Sequence, residues 1–380
     1  MKKAILIMIM LTVLTSCTVP NAAPESITEE LPYTCESSTD VKTGENSYVP
    51  LNYSYIKGMW LPYTHFSEYM QGKSEDEYRN AVRYILNNVA ERGINTVYFH
   101  VHPNGDAYYF SNIFPKGKCM TGDYDPLAIL LSEAHDLGIS VQAWLNPLRC
   151  QTIEEMQSIP DSFITKKWTV QQHFIKQVGD RWYLVPAYDE VRQLICDCAD
   201  ELLTKYDIDG IHIDDYFYPT TEPEFDSEEF AESGSSDLSQ WRRDCVTEYV
   251  KALNETVKKH GQRYKFSISP QGNIVSDYDK QYADVKLWCK EGYCDYMIPQ
   301  LYYGFNNSVC PFEPTLHEWE SIVSGSSVSL AAGLAEYKVG KTDKWAGEAG
   351  ESEWIETPDI IERQIQIVTE SSASGYVLYD

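Results

Sequence analysis

Short apolar runs recur along the chain, separated by stretches whose hydrophobic positions follow a helical period. The runs fall at 57–63, 96–102, 140–146, 210–215, 265–269, 296–303, 329–335 and 375–379. Amphipathic stretches lie between most of them, at 76–92, 126–137, 190–206, 238–260 and 358–369. In the first, Tyr78, Val82, Ile85, Leu86 and Val89 fall along one helical face. Gly93, Gly138 and Gly261 follow three of these stretches, as helix stops. Strand and helix alternating about eight times predicts a parallel (β/α)8 TIM barrel, an α/β fold, over residues 51–380. The chain stops at Asp380, directly after the eighth run. The expectation is therefore a barrel without its last helix, or a sequence that continues.

Parity within the runs sharpens the picture. Val97, Phe99 and Val101 share one face of the second run; Tyr98, His100 and His102 share the other. In the third, Val141, Ala143 and Leu145 oppose Gln142, Trp144 and Asn146. In the fourth, Ile211 and Ile213 oppose His212 and Asp214. In the sixth, Met297, Pro299 and Leu301 oppose Ile298, Gln300 and Tyr302. Barrel strands place aliphatic side chains beneath the helices and turn the other face to the axis. The axial face predicted here is polar, most of all at strand C-termini, where barrels carry their sites.

The chain begins MKKAILIMIMLTVLTSC. Lys2 and Lys3 precede an apolar run at 4–14, too short to span a bilayer, which needs about 20 residues, and fitting a secretory signal. Leu14-Thr15-Ser16-Cys17 has the form of a bacterial lipobox. The expectation is a signal peptide over 1–16, acylation of Cys17, and a lipid anchor on the extracytoplasmic face of a bacterial cell membrane. Residues 17–50, rich in Ser, Thr, Pro, Glu and Asn without a period, predict a flexible tether.

Charge narrows the partners. Asp and Glu number 57 against 31 Lys and Arg, giving −26, and loss of two lysines with the signal gives −28. So acidic a chain has no electrostatic hold on nucleic-acid phosphates or anionic lipid. The ten cysteines include Cys17, show no C-x-x-C pair and no zinc spacing. They predict core or free thiols rather than a metal site, and no cofactor is called for. An extracytoplasmic compartment permits one or two disulfides, with the pairing open.

The densest chemistry is Asp209-Gly210-Ile211-His212-Ile213-Asp214-Asp215-Tyr216-Phe217-Tyr218-Pro219. Two adjacent acids end the fourth strand, and Asp214 has axial parity. Carboxylates a few ångströms apart repel, so one keeps its proton to higher pH. Glycoside hydrolysis needs this split, one group ionised and one protonated. For either acid alone, a loop cap or an ion pair with Arg or Lys is the structural alternative. Parity brings His100, His102, Trp144, Asn146, His212, Gln300 and Tyr302 to the mouth as candidate substrate contacts, with Asn104, Asp106, Arg149, Ser269 and Gln271 nearby. Amide, imidazole and phenol groups suit sugar hydroxyls and acetamido groups, and indole suits a ring face. His100, His102, His212, Asp214 and Asp215 also support a rival zinc reading, although no later strand offers a second His pair. G-x-S-x-G, P-loop and G-x-G-x-x-G motifs do not occur.

Several segments now line up with a known pattern: Gly58-Met59-Trp60, Arg92-Gly93-Ile94-Asn95-Thr96-Val97, Gly122-Asp123-Tyr124-Asp125-Pro126-Leu127, His135-Asp136-Leu137-Gly138-Ile139, Ala143-Trp144-Leu145-Asn146-Pro147, the acidic block above, Ser267-Ile268-Ser269-Pro270, and Asp295-Tyr296-Met297-Ile298-Pro299-Gln300-Leu301-Tyr302. In this order they resemble glycosyl-hydrolase-like family 10, over roughly 55–380. Many members of that family are bacterial lipoproteins. The resemblance implies a barrel hydrolase acting on glycans, with bacterial cell-wall glycan (peptidoglycan) favoured. It maps the acidic pair onto Asp214 and Asp215 and the sixth-strand pattern onto Gln300 and Tyr302. Gln271 stands where many relatives carry an apolar residue.

Consecutive acids on a fourth strand also resemble those of substrate-assisted hexosaminidases, where the sugar's N-acetyl oxygen attacks. On that pattern Asp215 is the general acid and Asp214 the orienting carboxylate, the two roles being exchangeable, and Tyr302 helps hold the acetamido group. Direct displacement needs an acid across the mouth. Glu336, ending the seventh strand, is the candidate, but it shares parity with Leu330, Ala332 and Leu334, away from the axis. The competing functions are a non-catalytic glycan-binding lipoprotein and a metal-dependent hydrolase.

Overall fold

The computed structural model describes residues 48–380. The expected signal peptide, Cys17 and all but the end of the expected tether lie outside the described residues. The strands are β1 (Ile56–Leu61), β2 (Thr96–His102), β3 (Ser140–Leu145), β4 (Arg149–Thr152), β5 (Ile175–Val178), β6 (Arg181–Leu184), β7 (Gly210–Ile213), β8 (Lys265–Ile268), β9 (Tyr296–Met297), β10 (Ser329–Leu330), β11 (Ala332–Ala335) and β12 (Gly375–Tyr379). Nine of them form one parallel sheet in the order β10-β9-β8-β7-β3-β2-β1-β12-β11. β10 and β11 are two halves of one run interrupted at Ala331, so the ends of that order meet. The sheet is a TIM barrel, nearly closed, and its strand positions are the eight apolar runs.

Local sequence explains the elements. Helix Glu75–Glu91 starts at a capping box, in which Ser74 accepts from the Glu77 backbone while Glu77 accepts from Ser74. Helix Pro126–Asp136 starts at Asp125, whose carboxylate accepts from the backbone of Leu127 and Ala128. Helices Asp189–Lys205, Leu238–Lys259 and Ile360–Glu370 complete the predicted set. Gly93 and Gly138 take φ near +70°, the left-handed turn that ends a helix cheaply only at glycine. Three further helices, Ile274–Lys280, Val285–Glu291 and Phe312–Val323, fill the crossovers that showed no clear period.

Two departures matter. The run at 296–303 shortens to β9, because Pro299 has no N–H to give the ladder. Isolated bridges from Gln300 to Gln271 and to Gly333 still hold its end in the sheet. Beyond β3 the chain makes a separate antiparallel sheet, β4-β6-β5, which the strand–helix pattern did not predict. Its β5–β6 hairpin turns on Gly179-Asp180, with Gly179 at φ +62°.

The core divides as parity requires. Val97, Phe99, Val101, Val141, Ala143, Ile211 and Ile213 pack outward with the helix residues. Ile56, Trp60, Tyr98, Trp144, Ile298, Ala331 and Val377 form a second cluster inside the barrel. All eight cysteines among the described residues are free thiols. At the base, the buried Asp209 carboxylate accepts from the Val141 N–H at 2.6 Å and from the Tyr48 hydroxyl, so the chain leading into β1 is already fastened at Tyr48.

Candidate active site

At the C-terminal mouth a cavity of about 390 Å³ opens among Trp60, Tyr63, His100, Trp144, Asn146, Arg149, Asp214, Asp215, Tyr216, Ser269, Gln300, Tyr302, Tyr337 and Tyr379. A larger groove, about 650 Å³, runs along helix Glu75–Glu91 and holds none of the predicted site residues. Most of the predicted site residues gather at the smaller cavity instead.

Asp214 and Asp215 follow β7 directly. Asp214 is buried, and its Oδ2 accepts from the Trp144 indole N–H at 3.1 Å. Burial, reinforced by the charge of Asp215, pushes its carboxyl well above the usual carboxylate range. Asp215 is half-buried and faces donors instead. The Gln300 amide donates to its Oδ1 at 3.1 Å, and the Gln271 side chain lies close enough to favour its ionised form. Burial raises Asp215, while both amides pull it back toward the ionised form. Gln271 thus lies beside an acid.

Around the acids lie polar atoms with nothing to bond. His100 stacks flat on Trp144, with ring centroids 3.7 Å apart, and neither ring nitrogen has a partner. Burial holds this imidazole neutral, its pKa far below the ordinary histidine value. Asn146 Oδ1, Arg149 Nε and Ser269 Oγ are likewise buried and unpartnered. Buried polar groups in folded proteins are nearly always hydrogen-bonded. Their concentration around one cavity marks a surface made for a ligand rich in hydroxyls and amides. Aromatic rings supply the walls: Trp60, Tyr302, Tyr337 and Tyr379 contact one another ring to ring.

Of the predicted residues, His100, Trp144, Asn146, Asp214, Asp215, Gln300 and Tyr302 meet at this cavity. His102 and His212 do not. A register shift in β2 separates His102 from His100, and its Nδ1 bonds the Asp106 carbonyl at 2.7 Å. His212 lies below the floor, taking the Trp60 indole N–H at 3.1 Å and meeting Ser267 Oγ at 2.8 Å. Asp106 accepts from the Asn104 backbone within their own loop, and the Asn104 side chain accepts from Arg181 of β6, so neither lines the cavity. Glu336 turns outward, with both carboxylate oxygens on Arg92 Nη2. Among the described residues no three His, Cys, Asp or Glu side chains converge to hold a metal ion. Trp60 and Tyr379 escaped the sequence reading although parity on the first and eighth runs points both inward. Tyr63 and Tyr337 sit in single 3-10 turns after β1 and β11 and Tyr216 in the loop after β7, beyond the strands whose parity could have shown them.

Comparison with known proteins agrees with this architecture. The chain is 33% identical over 290 residues to the glycosyl hydrolase DigH of Escherichia coli K12, a match covering 68% of this chain and 66% of the relative. It is 30% identical over 297 residues to the glycosyl hydrolase YngK of Bacillus subtilis, covering 71% of this chain and 58% of the relative. The chain therefore spans less than two thirds of the length of either relative. Among solved structures, the PgaB glycoside hydrolase domain of Bordetella bronchiseptica superposes with a TM-score of 0.56 at 13% identity, covering 86% of this chain and 93% of that one. An endo-1,4-β-mannanase of Rhizomucor miehei gives 0.53 at 11%, covering 85% of each chain. At such identities these two show the barrel alone. The family model described as Glycosyl hydrolase-like 10 matches residues 55–349, and the chain belongs to that family.

Proposed function

We propose that this protein is a glycoside hydrolase, tethered through lipid on Cys17 to the extracytoplasmic face of a bacterial membrane. Its substrate is the glycan of the cell wall, peptidoglycan, or a related N-acetylated polymer. The observation that carries the reading is the adjacent acid pair lining a cavity ringed by unpartnered polar atoms. Family membership supports hydrolysis of a glycan, and the lipobox supports a substrate outside the cytoplasm.

The surroundings of the acids favour one division of labour, the exchange of the roles first assigned to them. Asp214 keeps its proton and gives it to the glycosidic oxygen as the bond to C1 breaks. The sugar's own N-acetyl oxygen attacks C1, while ionised Asp215, held by Gln300 and Gln271, accepts from the acetamido N–H. Water then opens the cyclic intermediate, and the Asp214 carboxylate takes the water proton. Proton-holding acid and fixed anion are the two states that this chemistry requires.

The test is reducing-end release from purified peptidoglycan strands. Wild-type protein should release ends in the presence of a chelator. Asp214→Asn and Asp215→Asn should each lose at least about a hundred-fold in turnover, the lower end of general-acid effects, while still binding strands. Binding by the wild type without release from any strand would instead establish a glycan-binding protein, and loss of release on chelation a metal-dependent one.

A further inference from the structure

One cation lines the cavity without a direct ion-pair partner among the described residues. Arg149 is the only Arg or Lys among the described residues that line it. It opens β4, which the unpredicted antiparallel sheet fixes by pairing with Tyr183 of β6. Its guanidinium lies over the Tyr216 ring, 5.0 Å from the centroid. Among the described residues no carboxylate forms an ion pair with it, Asp214 feeling its charge only at longer range, and its buried Nε has no hydrogen-bond partner.

A guanidinium presents five donors in a rigid fork and matches a carboxylate bidentately. Here the stem is held by β4, the flat face is covered by Tyr216, and one buried donor is unfilled. The remaining need of such a group is an anion supplied by the ligand.

We propose that Arg149 is the seat of a carboxylate carried by the sugar next to the scissile bond, so that the preferred glycan is acidic. This rests on the glycan-hydrolase reading above. The shared chemistry is a sugar-borne carboxylate, whether a ring uronic acid or an acid on an ether substituent. A site lined by two aspartates repels such a group unless a fixed cation offsets them. Arg149 therefore sets which sugars enter, and its contribution lies in binding rather than in the chemical step.

The experiment compares each acidic glycan with the same polymer after its carboxyl groups have been reduced to alcohols. The polymers are peptidoglycan glycan strands, with the ether-linked acid, and a polyuronate. Binding is measured to the full chain carrying Asp214→Asn, with and without Arg149→Met or Arg149→Lys; turnover is measured in the wild-type background. Reduction should weaken binding on the order of ten- to a hundred-fold, the worth of a charge-assisted hydrogen bond. Arg149→Met should lose the same factor on the acidic strand and nothing further on the reduced one, and Arg149→Lys should fall between. The polymer showing the larger loss on reduction identifies which carboxylate is seated. Equal binding of acidic and reduced polymers, or an equal loss on both in Arg149→Met, would overturn the proposal even if turnover persists. Absence of turnover together with the binding difference would refute hydrolysis and leave the carboxylate seat standing.

Discussion

Asp214 and Asp215 are adjacent in the chain, yet their surroundings pull their titrations apart. Each has a partner whose removal has a calculable sign. Trp144 donates to Asp214, and losing that bond destabilises the ionised form and raises the pKa further. On the proposed mechanism protonated Asp214 is the working form, so Trp144→Phe should move the alkaline limb of the kcat/KM profile upward, by about 0.5–1 pH unit. Gln300 donates to Asp215, whose ionised form is the one that the proposed mechanism uses, so Gln300→Met should move the acid limb upward by a similar amount. Limbs that stay in place would remove the assignment. His212 offers a check on stability. Burial holds it neutral with a pKa of about 3. Below pH 6.5 the unfolded chain gains a proton that the folded chain refuses, so stability falls as pH drops from 6.5 toward 3. That slope is about 1.4 kcal/mol per pH unit per such histidine, and urea unfolding of His212→Gln at pH 6, 5 and 4 should show it reduced by this amount. The acids were legible at this scale, since residue type and strand parity sufficed. That His212 serves the floor was not, because its partners Trp60 and Ser267 lie on other strands.

The loop after β7 carries the acids, and one buried ion pair fixes its shape. Arg242, wholly buried in helix Leu238–Lys259, donates through Nε to Asp226 Oδ2 at 2.8 Å and through its Nη atoms to the Thr221 and Glu222 carbonyls. The Tyr218 hydroxyl donates to the same Asp226 carboxylate. Removing one member leaves the other charge buried and unpaired, at a cost of about 3–5 kcal/mol. Arg242→Met should therefore lower unfolding stability by that amount, read from urea midpoints at unchanged slope. A neutral result would show the clamp to be dispensable. β7 itself tolerates little. A Cβ at Gly210 would lie 2.2 Å from the Lys265 carbonyl oxygen on β8, so Gly210→Ala must push two barrel strands apart. The helices were readable here from caps and period. The β4-β6-β5 sheet was not, since four-residue strands around a two-residue turn carry too short a pattern beside barrel-length units.

In the whole molecule, closure is the cooperative event. β12 pairs with β1 on one side and β11 on the other, so it is the strand that joins the two ends of the ring. Deleting residues 375–380 exposes two unpaired edges in an all-parallel sheet whose strands cannot pair locally. The expected result is a chain without a cooperative thermal transition, checked by circular dichroism and proteolysis. A preserved sharp transition would mean that the remaining arc folds alone. The same closure assembles the site, because the cavity draws side chains from strand ends or loops scattered from Trp60 to Tyr379.

Periodicity along the chain was enough to fix strand positions, helix faces and the inward parity of Asp214, Trp144, Gln300 and Tyr302, because each depends on residues a few places apart. The acidic pair is local as well, and its place at the end of the fourth strand was readable directly. Which polar groups end up facing the ligand, and which are consumed beneath it, depends on partners tens to hundreds of residues away. His100 and His102 differ by two places, yet a register shift puts one against the cavity and turns the other to a backbone carbonyl. Arg149 was placed near the mouth by its position after the third run, but nothing in the sequence showed what it faces. Its significance comes from a sheet that holds it, a ring that it lies over and a buried Nε left without a partner, and only the tertiary structure decides all three.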